Sequence, residues 1–472
     1  MSFFSKSPAA PLRDESEEQR STRFKRMQWA SFFAITLGYS MYYVCRTSLN
    51  VVKKPVMDAG ILDARQLGVI SSALLFTYAI GKFVNGFLAD HSNIRRFMAT
   101  GLLISTVANI VVGLLGLITV SQMAISQVAF YTVFAVLWAV NGWTQSMGAP
   151  PSIVALSRWY PLSNRGTFYG FFSASHNLGE FFSFLLVGGL VSLFGWQYGF
   201  VGAAIAGSIG FLLIVFLLHD SPEAEGMPSV AVMAGEELPS DDKPKSIGLS
   251  QRAVLRNPYV WVLAFASAFM YVSRYAVNGW GVLFLQETKG FTLATATQII
   301  SVNALLGIIG TVFSGWLSDV AFKGNRYIPA VAAGVLEVLS LILFAFGGNS
   351  AWVNILSMVL FGIAIGVLIC FLGGLMAVDI VPREAAGAAL GVVGIASYAA
   401  AGLQDIASGL LIDGNKTLVS VTDGVEQYTY NFTPALIFWI VAARRADRLQ
   451  SLGRHLPPAG CSSSFSTTTQ PD

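Results

Sequence analysis

Between Phe97 and Ser157 the chain runs for 61 residues without one Asp, Glu, Lys or Arg. Ordinary soluble domains carry a charge at about every fourth residue, so a gap of this length cannot form a water-facing surface. The stretches 166–219 and 327–378 hold one acid each, Glu180 and Glu337. A membrane-crossing helix needs roughly 20 apolar residues, and the 61-residue gap fits two such helices and a turn. Across the whole chain 54% of residues are hydrophobic and only 12% charged. Outer-membrane barrels are excluded, because their strands are about 10 residues long and alternate apolar with polar. The expectation is an all-α polytopic membrane protein.

Hydropathy with Gly, Pro and charge punctuation predicts helices at 29–49, 67–90, 96–118, 127–150, 166–190 and 198–218. A second set follows at 259–286, 295–319, 327–347, 352–378, 385–412 and 434–443. Residues 219–256 carry Asp220, Pro222, Glu236, Glu237, Asp241, Asp242, Lys243 and Lys245, and read as a solvated linker. The expected organisation is a terminal segment at 1–28, a six-helix half at 29–218, the linker, a second half at 257–443 and a polar tail at 444–472. If the N-terminus is cytoplasmic, 21 of the 29 basic residues lie on the cytoplasmic side and five outside, Lys53, Lys54, Arg65, Lys289 and Lys416. Arg46, Lys82 and Arg274 remain within helices. This is the positive-inside distribution, and it predicts an inner-membrane protein with both termini in the cytoplasm. The formal charge of +3 is then a topology signal, and nucleic-acid binding is not expected.

Cys45, Cys370 and Cys461 are too scattered for a disulfide framework, and the polar, mixed-charge first 28 residues lead to no expectation of a cleavable signal peptide. The four histidines have no metal-ligand spacing, and no nucleotide-binding loop is present. Neither a metal, a cofactor nor an enzyme activity is expected.

An internal repeat organises the remaining signals. Gly86-Phe-Leu-Ala-Asp90 ends the second predicted helix, Gly315-Trp-Leu-Ser-Asp319 ends the eighth, and basic residues follow each. Tyr43-Val-Cys-Arg46 with Asn50 in the first helix matches Tyr271-Val-Ser-Arg274 with Asn278 in the seventh. Gly166 and Gly170 recur as Gly387 and Gly391, and their spacing predicts close helix packing. Duplicated halves with a binding site between them are a common transporter plan.

The Gly-x-Leu-x-Asp loop in both halves resembles the major facilitator superfamily, a fold of two six-helix halves with pseudo-twofold symmetry. The segments Gly38-Tyr39-Ser-Met-Tyr42-Tyr43-Val-Cys-Arg46, Tyr78-Ala-Ile-Gly-Lys82-Phe83, Arg165-Gly166, Ser175-His176-Asn177-Leu-Gly179 and Tyr271-Val-Ser-Arg274 resemble its organophosphate:phosphate antiporters. That family includes carriers of glycerol 3-phosphate, hexose 6-phosphates and phosphoglycerate, and a related sensor. The resemblance, from about residue 25 to 440, implies exchange of a phosphorylated metabolite for inorganic phosphate by a monomer, with Arg46, Arg274 and His176 holding the phosphate. It also implies that the loops of Gly86, Asp90, Gly315 and Asp319 latch one conformation, with Arg95, Arg96 and Arg326 as candidate partners. Many members carry Lys directly after the first Arg and Asp five residues after the second; here these positions are Thr47 and Gly279.

The residues themselves support a phosphate site. Arginine in a membrane helix is costly and marks function, and its planar fork of donors suits two phosphate oxygens. Tyr43 and Asn50 share the face of Arg46, and Tyr271 and Asn278 that of Arg274. Tyr39, Tyr42 and Lys82 complete the candidate set. Glu180, one turn after His176, is read as orienting that ring or contacting a sugar hydroxyl; Glu337 and Asp405 are read as interhelical hydrogen-bonding groups. The alternatives are a membrane sensor of hexose 6-phosphate acting on a kinase, or a proton-coupled carrier of another organic anion. The nine apolar residues Ala435–Ala443 reach about 13.5 Å, less than half the hydrocarbon layer. The last helix is therefore expected to be incomplete, as from an altered coding end.

Overall fold

The computed structural model describes residues 3–122, 126–234, 254–322, 325–381, 386–422 and 425–452. Seven long helices precede the linker: α1 (Glu17–Asp58), α2 (Ala64–Asp90), α3 (Ile94–Gln122), α4 (Gln127–Gln145), α5 (Ala149–Trp159), α6 (Leu162–Phe194) and α7 (Trp196–Leu217). Six follow it: α8 (Pro258–Glu287), α9 (Leu293–Trp316), α10 (Tyr327–Phe346), α11 (Ala351–Cys370), α12 (Ala386–Asp413) and α13 (Thr433–Leu452). Nine helices among the described residues are long and apolar enough to cross a membrane. Large apolar side chains such as Phe216 and Trp352 stand on the outside of the bundle, 73% and 79% exposed, a surface suited to lipid.

Local chemistry sets the helix ends. Capping boxes of Ser16 with Gln19 and of Asp63 with Gln66 open α1 and α2, pairing otherwise orphaned N–H groups. Asn257 caps α8, with Pro258 in its first turn. The predicted helix 127–150 is instead two helices. Pro150 and Pro151 lack the N–H needed to continue α4, so they open α5 after a break at Ser146–Gly148. α1 outruns its predicted span at both ends and carries Lys53 and Lys54 within it. Lys53, expected in an outer loop, is wholly buried.

The final helix also differs from expectation. α13 has 20 residues and does not stop at Ala443. Ala442, Ala443, Ala446 and Gln450 are buried while Arg444, Arg445 and Arg448 are exposed. This spacing gives the charged continuation an apolar helical face. An antiparallel hairpin of β1 (Lys416–Thr422) and β2 (Val425–Tyr430) precedes it, where only a loop is expected. Its β-branched and aromatic residues favour strands.

The helices before and after the linker meet along two seams, α2 against α12 and α6 against α9. At the end of the bundle away from the termini these seams are tight. A Cβ on Gly68 would sit 2.5 Å from the Asp405 carbonyl oxygen, and one on Gly188 would sit 2.6 Å from the Thr297 hydroxyl. At the terminal end they part: a Cβ on Gly86, Gly166, Gly170, Gly387 or Gly391 would meet no atom within 4 Å. The close packing expected of the last four is thus not made here, because these helix ends have separated.

Candidate substrate-binding site

The long α1 and α8 carry Arg46 and Arg274 to the middle of the bundle, where both are buried. Arg46 donates from Nη2 to the Tyr275 hydroxyl at 2.8 Å, and its guanidinium carbon lies 4.4 Å from the Tyr78 ring centre. Tyr43, Tyr275 and Tyr398 surround the same cation at 5.3, 5.8 and 5.5 Å. Arg274 lies 5.8 Å from Tyr271 and 5.7 Å from Tyr275, so one tyrosine ring serves both arginines. Aromatic faces stabilise a cation with little water and leave its N–H edge free to donate. Arg46 Nη1 and His176 Nε2 are buried without a hydrogen bond among the described residues. Both groups adjoin the Tyr43 ring, so each is free to meet a ligand lodged there.

The remaining sequence candidates divide. Tyr43 and Tyr39 pack together and reach His176 and Phe172. Tyr42 does not face the site: its hydroxyl donates to the Met98 carbonyl on α3, at 2.5 Å. Tyr42 follows Tyr39 by three positions, yet Tyr39 turns toward Phe172 on α6 and Tyr42 toward α3. Asn50 is half-buried, and its side chain makes no hydrogen bond among the described residues. Lys82 is exposed on the open side, with Nζ 5.4 Å from the Tyr398 ring centre. Asn278 belongs to the site through Glu180.

Glu180 is the residue whose role the sequence placed least well. It reaches from α6 to α8 and accepts from Arg274 Nη2 at 3.4 Å on each oxygen and from Asn278 Nδ2 at 3.3 Å. It makes no bond to His176. Tyr275 and Tyr398 were missed as well; Tyr275 directly follows Arg274 in the repeat, whereas Tyr398 carries no motif.

A second polar cluster lies one to two turns further from the termini. Trp280 donates from Nε1 to Asp405 Oδ1 at 2.9 Å, and Lys53 Nζ sits 3.6 Å from its ring centre. A Cβ on Gly279 would lie 3.2 Å from Asp405 Oδ1 and 3.6 Å from Lys53 Nζ. Gly279 thus stands beside a buried lysine and a buried aspartate. Nearby, Lys54 on α1 pairs with Glu287 at the end of α8. Glu337 accepts from Ser273, an interhelical bond.

The loop residues make other contacts than those expected. Arg158 donates to Asp220 at 2.6 Å and to the Asp90 backbone carbonyl at 3.2 Å. Arg96 donates to the Phe3 carbonyl, and Arg95 is half-buried without a hydrogen bond among the described residues, so neither pairs with Asp90. Arg158 was overlooked although it is the first charge after the 61-residue gap. Arg326 pairs with Asp379 at 2.8 Å. The surroundings of Gly315 and the side chain of Asp319 lie outside the described residues.

Comparison with known proteins agrees with this architecture. Residues 35–404 match the Major Facilitator Superfamily. The membrane sensor protein UhpC of Salmonella typhimurium is 32% identical over 86% of this chain and 90% of its own length. The hexose-6-phosphate:phosphate antiporter of Escherichia coli is 30% identical over 84% and 87%. A bacterial homolog of the human lysosomal transporter Spinster, solved inward-facing and unoccupied, superposes with a TM-score of 0.68 over 90% of this chain and 98% of its own, at 16% identity. The chain is a multi-pass membrane protein of the major facilitator superfamily, and within it belongs to the organophosphate:phosphate antiporter family.

Proposed function

We infer that the protein exchanges a phosphorylated metabolite for inorganic phosphate across the inner membrane. The carrying observation is the pair of buried guanidiniums that share Tyr275, one from each set of helices. Phosphate between Arg46 and Arg274 would receive Arg46 Nη1 and His176 Nε2, and would draw α1 and α8 together. With both termini in the cytoplasm, the open end of the bundle faces inward and Lys82 stands at its mouth. The separated glycines of α6 and α12 supply flat faces that can meet when the halves rock to the opposite state. One chain supplies both arginines, so a monomer suffices, and no nucleic acid enters the cycle. The loops of Gly86, Asp90, Gly315 and Asp319 act in that conformational change, with Arg158 as an additional partner on the first.

Counterflow tests this reading. Proteoliposomes preloaded with unlabelled phosphate should accumulate labelled phosphate from outside, and external organophosphate should compete. Accumulation that ignores internal phosphate would overturn it. A second reading, a sensor that binds organophosphate without transporting it, rests on the similarity to UhpC. Binding without counterflow would favour that reading.

A further inference from the structure

We propose that Glu180 is the specificity-determining residue of this site, selecting phosphate esters whose organic part is neutral and hydroxylated over those that carry a carboxylate. The assignment rests on the phosphate-site reading above and deepens it.

Glu180 is 3% exposed and is the carboxylate bonded to Arg274. Its three contacts, at 3.3–3.4 Å, are long for charged partners, which settle at about 2.7–2.9 Å. The carboxylate therefore holds the Arg274 fork loosely and keeps lone pairs for shorter donors. A phosphate dianion is the stronger partner for this guanidinium, because it offers more charge than a carboxylate and can meet the planar fork edge-on, whereas Glu180 reaches only Nη2. When it takes the Arg274 fork, Glu180 remains in the same enclosure and needs new donors. Hydroxyl groups on the organic part supply them at about 2.5–2.7 Å. A carboxylate on the organic part has no proton to donate, and it meets Glu180 as a like charge.

Charge balance points the same way. Arg46, Arg274 and Lys82 carry three positive charges and Glu180 one negative, so a phosphate dianion with a neutral organic part leaves the site neutral. A further carboxylate leaves it negative, which is costly away from water. Glu180 comes from α6 while its partners Arg274 and Asn278 lie on α8, so it can accept from a ligand lying between the two sets of helices.

The test is competition for labelled inorganic phosphate on the purified full-length protein in detergent, with glucose 6-phosphate, glycerol 3-phosphate and 3-phosphoglycerate as competitors. The wild type should favour the two neutral hydroxylated esters over 3-phosphoglycerate by about tenfold or more, the scale of one charge-assisted hydrogen bond. Glu180→Gln should tighten inorganic phosphate and shrink or invert that preference. Glu180→Asp, with the charge kept but withdrawn, should weaken the neutral esters while still rejecting 3-phosphoglycerate. A wild type that binds 3-phosphoglycerate as well as glucose 6-phosphate overturns the proposal without any variant, as does a Glu180→Gln protein whose competitors all shift equally. Competition without counterflow in proteoliposomes would overturn the exchanger reading and leave this assignment standing. Counterflow with a competitor ranking insensitive to Glu180→Gln would do the reverse.

Discussion

Replacing Lys53 by Met removes a buried ammonium whose environment links α1, α8 and α12. Lys53 lies on the face of Trp280, and Asp405 accepts from the edge of the same indole. The cation and the anion polarise that ring in the same sense, so each strengthens the contact of the other. Deleting one member of a buried charge pair costs about 3–5 kcal/mol, most of it from the charge left behind. Lys53→Met and Asp405→Leu should each destabilise on that scale. The double variant restores neutrality and should lose no more than about 2 kcal/mol, giving a coupling of several kcal/mol. Thermal melting of the detergent-solubilised protein can be followed with a thiol-reactive dye, because Cys45 is buried between α1 and α7 and bonded to the Ala203 carbonyl. Additive losses in the double variant would refute the cluster as a charge-balanced unit.

Other consequences follow from neighbouring positions. Gly279→Asp should place a second carboxylate beside Asp405 and lower the melting temperature, and adding Asp405→Asn should recover most of the loss. Tyr275→Phe removes one charge-assisted bond from Arg46 and should raise the KM for phosphate about tenfold in counterflow; an unchanged KM would contradict the role given to that hydroxyl. Burial pushes the Lys289 amine, in the turn between α8 and α9, down to about 8. Between that pH and about 10.4, the value of a free lysine, the folded protein binds fewer protons than the unfolded chain, so Lys289 adds stability as pH rises and is a fixed cost below pH 8. The melting temperature of wild type minus that of Lys289→Met should therefore increase from pH 8 to pH 10, and a decrease would contradict it.

The legible part of the fold is the part written in charge. Long uncharged runs fixed the helical membrane class, and the repeat around Arg46 and Arg274 pointed to α1 and α8, whose two arginines the fold buries around a shared tyrosine. Helix interruptions were less legible: Pro150-Pro151 signals a break, but apolar composition runs straight across it. α13 was misjudged because its continuation reads as polar by composition, whereas its buried face is carried by small alanines between arginines. The partners on distant helices were the hardest to foresee. Glu180 with Arg274 and Lys53 with Asp405 are 94 and more than 300 residues apart, so only the packing of α6 with α8, and of α1 and α8 with α12, brings them together. A one-turn His176–Glu180 bond was the local expectation, and a distant guanidinium outcompetes it as the partner for a buried carboxylate.

Labelled-phosphate counterflow in proteoliposomes bearing Arg46→Lys or Arg274→Lys tests the phosphate clamp most directly. Lysine keeps the charge but not the planar fork of donors. Each variant should insert and melt normally yet lose exchange, and either one exchanging phosphate at the wild-type rate would contradict the clamp.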